Sequence, residues 1–405
     1  MGILSEKSPK KFKEESRMRN LKRALSLALA SVMVMGLMVV GTGASYADVS
    51  SEQNQEAIEV LQAVGVMTGD ENGNFNPDAN VTRNEMAVVM SNLLDYTVSS
   101  YKGTAPFSDV PSWAEPYVAA CYTNGIIAGY DAKTFGGSDS VTTGQAALML
   151  LKALGYFQEA GDFGQDWLVA TVAQGSKIDL FDGVDTAARD ALTRNEVAQL
   201  VLNALKAEMV EIVDHDVTTD GKGNWVTKAV YDARTSTDKK YGKITNEKAD
   251  GNAARFSVQL GEDLYSGDLQ MNDEAADDFQ RPATEWKYVN DTIGTFTDKA
   301  DAVYTKKVTA ANIYSVVGKS TADDLEDGTY ALYNYIDGEG GQVTANIGNF
   351  VDKNNTTKVN GSGNGMLTEV YVDTSAKKVT IVSINTYVFQ ASTDYNTSKE
   401  SVDVV

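Results

Sequence analysis

Apolar residues recur at helical spacing in the N-terminal half of this 405-residue chain and alternate with polar ones towards its C-terminus. Met86, Val89, Met90, Leu93 and Leu94 fall on one helical face, as do Val197, Leu200, Val201, Ala204 and Leu205. Ala57 to Val64 predicts an earlier helix, joined to Met86–Leu94 by a glycine-containing loop through Pro77. Laying 57–96 over 117–156 needs no gap: Gly65 meets Gly125, Gly69 meets Gly129, Phe75 meets Phe135 and Thr82 meets Thr142. A third copy, about 164–207, aligns through its closing helix, with Lys177 where the first glycine is expected and a turn rebuilt around Asp182-Gly183. Units this short bury their apolar faces against siblings, which places grooves between copies.

Beyond about Asp214 the pattern changes. Glu369–Val372 and Lys378–Ile384 alternate, with a turn at Asp373–Ala376 between them, and predict a β-hairpin. Short strands are expected at Tyr330–Ile336 and Val303–Val308, so 214–405 reads as one or two β-rich domains. The strand-like run to Val405 reads as part of a longer surface protein.

Each repeat's second helix opens on a four-residue motif: Thr82-Arg83-Asn84-Glu85, Thr142-Thr143-Gly144-Gln145 and Thr193-Arg194-Asn195-Glu196. Thr82 with Glu85, Thr142 with Gln145 and Thr193 with Glu196 have the spacing of capping boxes. A cap does not explain Arg83 or Arg194, because a cation in the first helical turn opposes the helix dipole. An arginine beside free helix N–H groups suits a bidentate carboxylate or phosphate; a salt bridge between repeats is the alternative. Copy two keeps the cap and replaces the arginine with Thr143.

Composition narrows the functional classes. A basic stretch ending in Arg19, Lys22 and Arg23 precedes the apolar run Ala24–Val40 and the small-residue site Ala44-Ser45-Tyr46-Ala47, so 1–47 reads as a secretory signal cleaved before Asp48 rather than a retained anchor. Translation from Met18 would already give a complete signal. Removing these residues takes away eight basic and three acidic side chains, and the net charge falls from −21 to about −26. Such a chain should repel nucleic acid and, once the signal is gone, anionic membranes; the acidity favours solubility and leaves structural calcium open. The lone Cys121 reads as a small buried residue, which excludes an internal disulfide. No other cofactor is expected.

The motifs resemble the surface-layer homology domain, usually present in three tandem copies. Phe107-Ser108-Asp109-Val110, Trp113-Ala114, Tyr117-Val118, Gly125-Ile126-Ile127-Ala128-Gly129, Phe135 and the Thr-Arg-x-Glu helix starts carry the resemblance, over about residues 50–207. It implies a multidomain fold: an α-helical three-repeat bundle with pseudo-threefold symmetry, followed by the β-rich region. The expected divisions are 1–47 for the signal, 48–100, 101–159 and 160–213 for the repeats, and 214–405 for a surface or assembly region. That last region is loosely similar to the assembly portion of clostridial surface-layer proteins. In the family, grooves between copies bind secondary cell-wall polysaccharide, often pyruvylated, and the motif arginine engages the anionic sugar. The resemblance assigns that role to Arg83 and Arg194, and places Asp109 and Trp113 at a groove, with a core position as the alternative for Trp113. One or two competent grooves follow, since copies two and three depart from the pattern.

Catalytic and metal readings are weaker. A nucleophile triad needs a base, and the only histidine, His215, falls between Asp214 and Asp216 where a linker is expected. One Cys and one His argue against zinc. Asp70-x-Asn72-x-Asn74 imitates an EF-hand start, but Phe75 replaces the turn glycine and Val81 the bidentate glutamate. Asp277-Asp278 and Asp323-Asp324 are pairs of the kind an acidic chain produces by chance. The reading is therefore a secreted, non-enzymatic bacterial surface protein that holds a cell-wall polysaccharide and can self-assemble into a lattice. A wall-anchored polysaccharide hydrolase is the alternative, and an adhesin is a third.

Overall fold

The computed structural model describes residues 39–40, 46–50, 53–245 and 255–386. Most of the expected signal peptide, the alternative start at Met18 and the chain beyond 386 lie outside them. The described residues fall into two compact units, one formed within 46–273 together with 284–296, the other by 274–283 and 297–386.

The repeats in the first unit supply six helices, α1 (Gln55–Ala63), α2 (Arg83–Leu93), α3 (Glu115–Thr123), α4 (Thr143–Ala153), α5 (Trp167–Lys177) and α6 (Arg194–Lys206), and a short helix, Leu260–Tyr265, follows later in the same unit. The six alternate, the first helix of each copy followed by the second, and all share one apolar core. That core runs from Ile58 and Leu61 through Met90, Leu150 and Val201 to Trp286 and Phe296. Residues of the expected β-rich region thus complete the core of the repeats. Trp286 is fully buried and donates its indole N–H to Glu56 at 2.7 Å, joining a strand far along the chain to α1.

Left-handed turns end the first helix of each copy. Gly65 and Gly125 share φ +75°, a conformation that costs glycine nothing. The third copy corrects the sequence expectation: the matching position is Asp179, at φ +52°, rather than Lys177, which is still helical. Aspartate is among the few residues that enter this region readily.

Three extended residues, one per copy, tie the repeats by backbone. Val81 N–H donates to Leu192 O at 3.0 Å, Leu192 N–H to Val141 O at 3.1 Å, and Val141 N–H to Val81 O at 2.8 Å. The three bonds form a closed cycle, and all three side chains are buried.

After α6 the chain makes a hairpin of β1 (Val210–Thr219) and β2 (Trp225–Ala233). His215 is part of β1, which corrects its reading as a linker residue; its Nε2 lies 3.5 Å from Glu159 Oε1.

The second unit carries a five-stranded sheet. Its order is Glu339–Val343, Ala331–Ile336, Lys378–Asn385, Met366–Asp373 and Ala302–Tyr304. The hairpin expected at 369–384 is present, with Asp373 opposite Lys378 and the Asp373 carboxylate accepting from Ser375 and Ala376 N–H. One face packs Val370, Val379 and Ile381 against Ile313, Val317 and Leu325 of a helix, Ala310–Asp327, that the β-rich reading missed. Gly318 breaks its helical geometry midway (φ 76°, ψ 170°), and Ile313, Val316 and Val317 are β-formers, so propensity pointed elsewhere. The other face buries Leu367, Tyr371, Val382 and Ile384. Of the expected strand at 303–308, only Ala302–Tyr304 is extended in a sheet.

Candidate functional site

All three motif helices carry a complete capping box: Thr82 with Glu85, Thr142 with Gln145, and Thr193 with Glu196. Each threonine hydroxyl accepts the third helical N–H, and the Glu or Gln reaches back to the threonine N–H. Glu196 also accepts from the Thr186 hydroxyl, and these bonds hold its carboxyl below the usual range despite burial.

The first two N–H groups of each helix are occupied as well. Arg83 and Asn84 donate to Asp139 O and Gly137 O of copy two, both at 2.9 Å. Thr143 and Gly144 donate to Asp190 O (3.1 Å) and Ala188 O (2.9 Å) of copy three, and Arg194 and Asn195 to Ala79 O (2.8 Å) and Pro77 O (3.0 Å) of copy one. The helix starts therefore offer no free first-turn N–H groups to an anion, contrary to the sequence expectation. A neighbouring repeat has taken the place of the ligand.

The arginines follow the same rotation. Arg83 donates from Nε to Phe135 O at 3.1 Å and from Nη2 to Ala128 O at 2.9 Å, with its guanidinium 4.6 Å from the Phe135 ring and 4.8 Å from Tyr130. Arg194 donates from Nε to Phe75 O at 2.7 Å and from Nη2 to Thr68 O at 2.9 Å, 4.7 Å over the Phe75 ring. Arg83 is only 4% exposed, whereas Arg194 is half-buried. Burial lowers both pKa values, Asp139 and Asp109 oppose this at Arg83, and Glu85, Asp48 and Asp70 do so at Arg194. Neither arginine forms an ion pair among the described residues. In copy two Thr143 sends a single bond, Oγ1 to Thr186 O at 3.2 Å, where the others send a planar fork.

Asp109 belongs to this assembly. Its carboxylate accepts from Phe135 N–H and Gly136 N–H, both at 2.8 Å, and these bonds hold its pKa down. The Phe135 peptide is thus gripped on both sides, by Asp109 from its own copy and by Arg83 from the preceding one. Asp48 does the same for Phe75 N–H (2.9 Å) and Asn76 N–H (2.6 Å), a role the sequence reading missed because Asp48 is one residue out of register with Asp109. Trp113 is 54% exposed and lies outside the core. Trp167 takes the corresponding place in copy three, also exposed, with Leu168 buried after it as Ala114 is after Trp113. The shared Trp-apolar pair was the available signal.

The rejected sites sort by their surroundings. Cys121 is buried with no disulfide, and its thiol pKa is raised to about 11 by burial. Asp277 is buried under Arg281, accepting from Nε at 2.7 Å and lying 2.6 Å from Nη2, while Asp323 pairs with Lys319 on an exposed helix face. The Asp70 carboxylate is occupied by Asn72 N–H, Asn74 N–H and the Asn76 amide. Among the described residues no cluster of three or more His, Cys, Asp or Glu is arranged for a metal, and no helix is long and apolar enough to cross a membrane.

Helix starts that cap themselves with Thr and Glu and grip a sibling's loop through Arg and backbone N–H groups recur along this chain. Residues 45–87 and 106–147 match the S-layer homology domain, and the chain carries that domain in at least these two copies. A cell surface protein of Thermoanaerobacter kivui is 25% identical over 370 residues, covering 85% of this chain and 46% of that protein. The surface-layer 125 kDa protein of Lysinibacillus sphaericus is 32% identical over 130 residues, 31% of this chain and 11% of that one. An endoglucanase of a Bacillus species is 26% identical over 176 residues, 39% of this chain and 18% of the enzyme. The chain spans less than half the length of these relatives. It is a secreted, cell-wall-associated protein that carries the S-layer homology domain, and that domain implies anchoring of a surface protein to the wall.

Proposed function

We propose that residues 48–213 form a pseudo-threefold bundle of three repeats, 48–100, 101–159 and 160–213, which attaches the protein to an anionic secondary cell-wall polysaccharide through grooves between copies. The observation that carries this reading is the matched pair of arginines, each forked onto the loop of another copy and held over an aromatic ring without an acidic partner. A guanidinium fixed in this way keeps Nη1 for an incoming carboxylate, at no cost in side-chain ordering. Arg194, the more exposed of the pair, supplies charge at the Phe75 loop, and Asp109, at the Phe135 loop that Arg83 holds, and the exposed Trp113 are assigned hydrogen bonding and an aromatic face for a sugar ring. Repetition adds avidity, so weak grooves or many copies in a lattice give lasting attachment. Residues 214–405 are assigned to surface display or self-assembly, without catalysis.

Co-sedimentation of the mature chain with purified walls, before and after acid extraction of the secondary polymer, tests the proposal. Loss of binding on extraction, and in Arg83→Ala/Arg194→Ala protein that remains folded, is the expected result. Undiminished binding in both arms would turn the search to peptidoglycan or protein partners. The similarity to an endoglucanase supports a second reading, a wall-anchored hydrolase; turnover of cellulose or xylan by the purified chain would favour it.

A further inference from the structure

A cavity of about 310 Å³ lies between the C-terminal ends of α3 and α4 and the segment leading into copy three. Asn124, Lys152, Gln158 and Glu159 supply its polar wall, and Ile126, Phe157 and Phe163 its apolar one. It is away from the capped helix starts and uses neither motif arginine.

Lys152 is the informative residue. Its place in the motif helix, ten residues after the capping threonine, is held by Asn92 in copy one and Asn203 in copy three. Those asparagines donate to backbone carbonyls of the turn after the preceding helix, Asn92 to Val66 O and Asn203 to Leu180 O and Asp182 O. Lys152 makes the corresponding bond, Nζ to Gly125 O at 2.8 Å. A neutral amide satisfies this structural need in copies one and three, so the positive charge in copy two is surplus to the fold. The ammonium keeps two further donors, lies 5.9 Å from the centre of the Phe163 ring and forms no ion pair among the described residues, although the chain is strongly acidic. Burial lowers its pKa, because desolvation disfavours the charged form.

The far wall is fastened. The Asp162 carboxylate accepts from Glu159 N–H at 2.9 Å, Ala229 N–H at 2.9 Å and the Tyr231 hydroxyl at 2.6 Å, while Gln158 N–H donates to the Tyr231 oxygen at 3.0 Å. The hairpin β1–β2 thereby pins the 157–163 segment. Phe157 holds φ +58°, where a bulky residue is strained, and turns its ring into the cavity wall.

We propose that this cavity is a subsite for one acidic sugar residue: Lys152 binds its anionic substituent, Asn124, Gln158 and Glu159 its hydroxyls, and the phenylalanine rings its apolar face. The volume is at the small end of ligand pockets, suited to a single ring. The inference rests on the wall-glycan reading for the source of its ligand.

The test is isothermal titration of the mature chain, and of Lys152→Asn, with glucuronic acid, glucose 6-phosphate and glucose. The asparagine keeps the bond its siblings make, and an unchanged melting temperature confirms the fold. The subsite predicts that an acidic sugar binds, that glucose binds about tenfold more weakly or not at all, and that Lys152→Asn removes about the same factor. Whichever acidic probe binds names the acid as carboxylate or phosphate. Equal binding to both proteins, equal binding of glucose, or no binding of either acidic sugar overturns the proposal. Wall co-sedimentation in parallel separates the two readings: retained wall binding without acidic-sugar titration removes only the subsite, whereas lost wall binding with Lys152-dependent titration removes only the anchor.

Discussion

Arg194, in the third copy, holds the peptide of Phe75, in the first: its Nε donates to the Phe75 carbonyl at 2.7 Å while the guanidinium covers the same residue's ring at 4.7 Å. Charge, hydrogen bond and stacking converge on one residue 119 positions away. Arg194→Lys retains the charge and loses the planar fork. The expected result is a loss of about 1–3 kcal/mol in urea unfolding, with wall binding weakened even where the protein is folded.

Arg83 is the more deeply buried of the pair, and Arg83→Ala would leave the Phe135 and Ala128 carbonyls without their donors. Its destabilisation should exceed that of Arg194→Ala, at about 2–4 kcal/mol, measured by the denaturation midpoint at constant slope.

Glu59, in α1, is 6% exposed, and neither carboxyl oxygen has a hydrogen-bond partner. Burial pushes its pKa to about 7, where the corresponding residue of copy two is Ala119. Since the folded protein holds this proton more tightly than the unfolded chain, the stability it contributes is full below about pH 4.5 and is lost as pH rises to about 7. The loss is about 3 kcal/mol. Glu59→Gln should flatten that segment of the stability-versus-pH curve; a wild-type curve that rises from about pH 4.5 to about 7 by as much as its glutamine variant would refute the assignment.

Removing a cap has a smaller effect. Thr142→Ala should lower stability by about 0.5–2 kcal/mol, the range for a lost N-cap, and thermal unfolding of the single variant suffices to detect it.

Asp277→Ala would remove one buried partner of Arg281, which is 2% exposed and lies beside buried Glu369 and Tyr371. A loss of about 3–5 kcal/mol is expected for breaking a buried ion pair, with partial recovery in Asp277→Ala/Arg281→Met.

Much of the repeat could be read directly. Thr and Glu three apart specify a local bond, glycine marks a left-handed turn, and a shared 60-residue offset aligned Phe75 with Phe135. What could not be read was the partner of each donor. The Arg83 fork, the first-turn N–H groups and the Trp286–Glu56 bond all join residues far apart in sequence, and no spacing rule announces them. A motif arginine looks the same from the chain whether it faces a sugar or a carbonyl. The helix Ala310–Asp327 stayed hidden because its valines and Gly318 favour other conformations locally, and only the sheet beneath it decides in favour of helix. Asp48 escaped notice for a simpler reason, a one-residue shift against Asp109.

The hydrogen bonds among Val81, Leu192 and Val141 run in one rotational sense, and the arginine and threonine contacts that surround them run in the other. A circle has no first member. The order in which the three copies are written along the polypeptide is thus immaterial to these contacts, and a chain opened at another junction could rebuild them all. Leaving out any one copy, by contrast, strands a donor on one neighbour and an acceptor on the other.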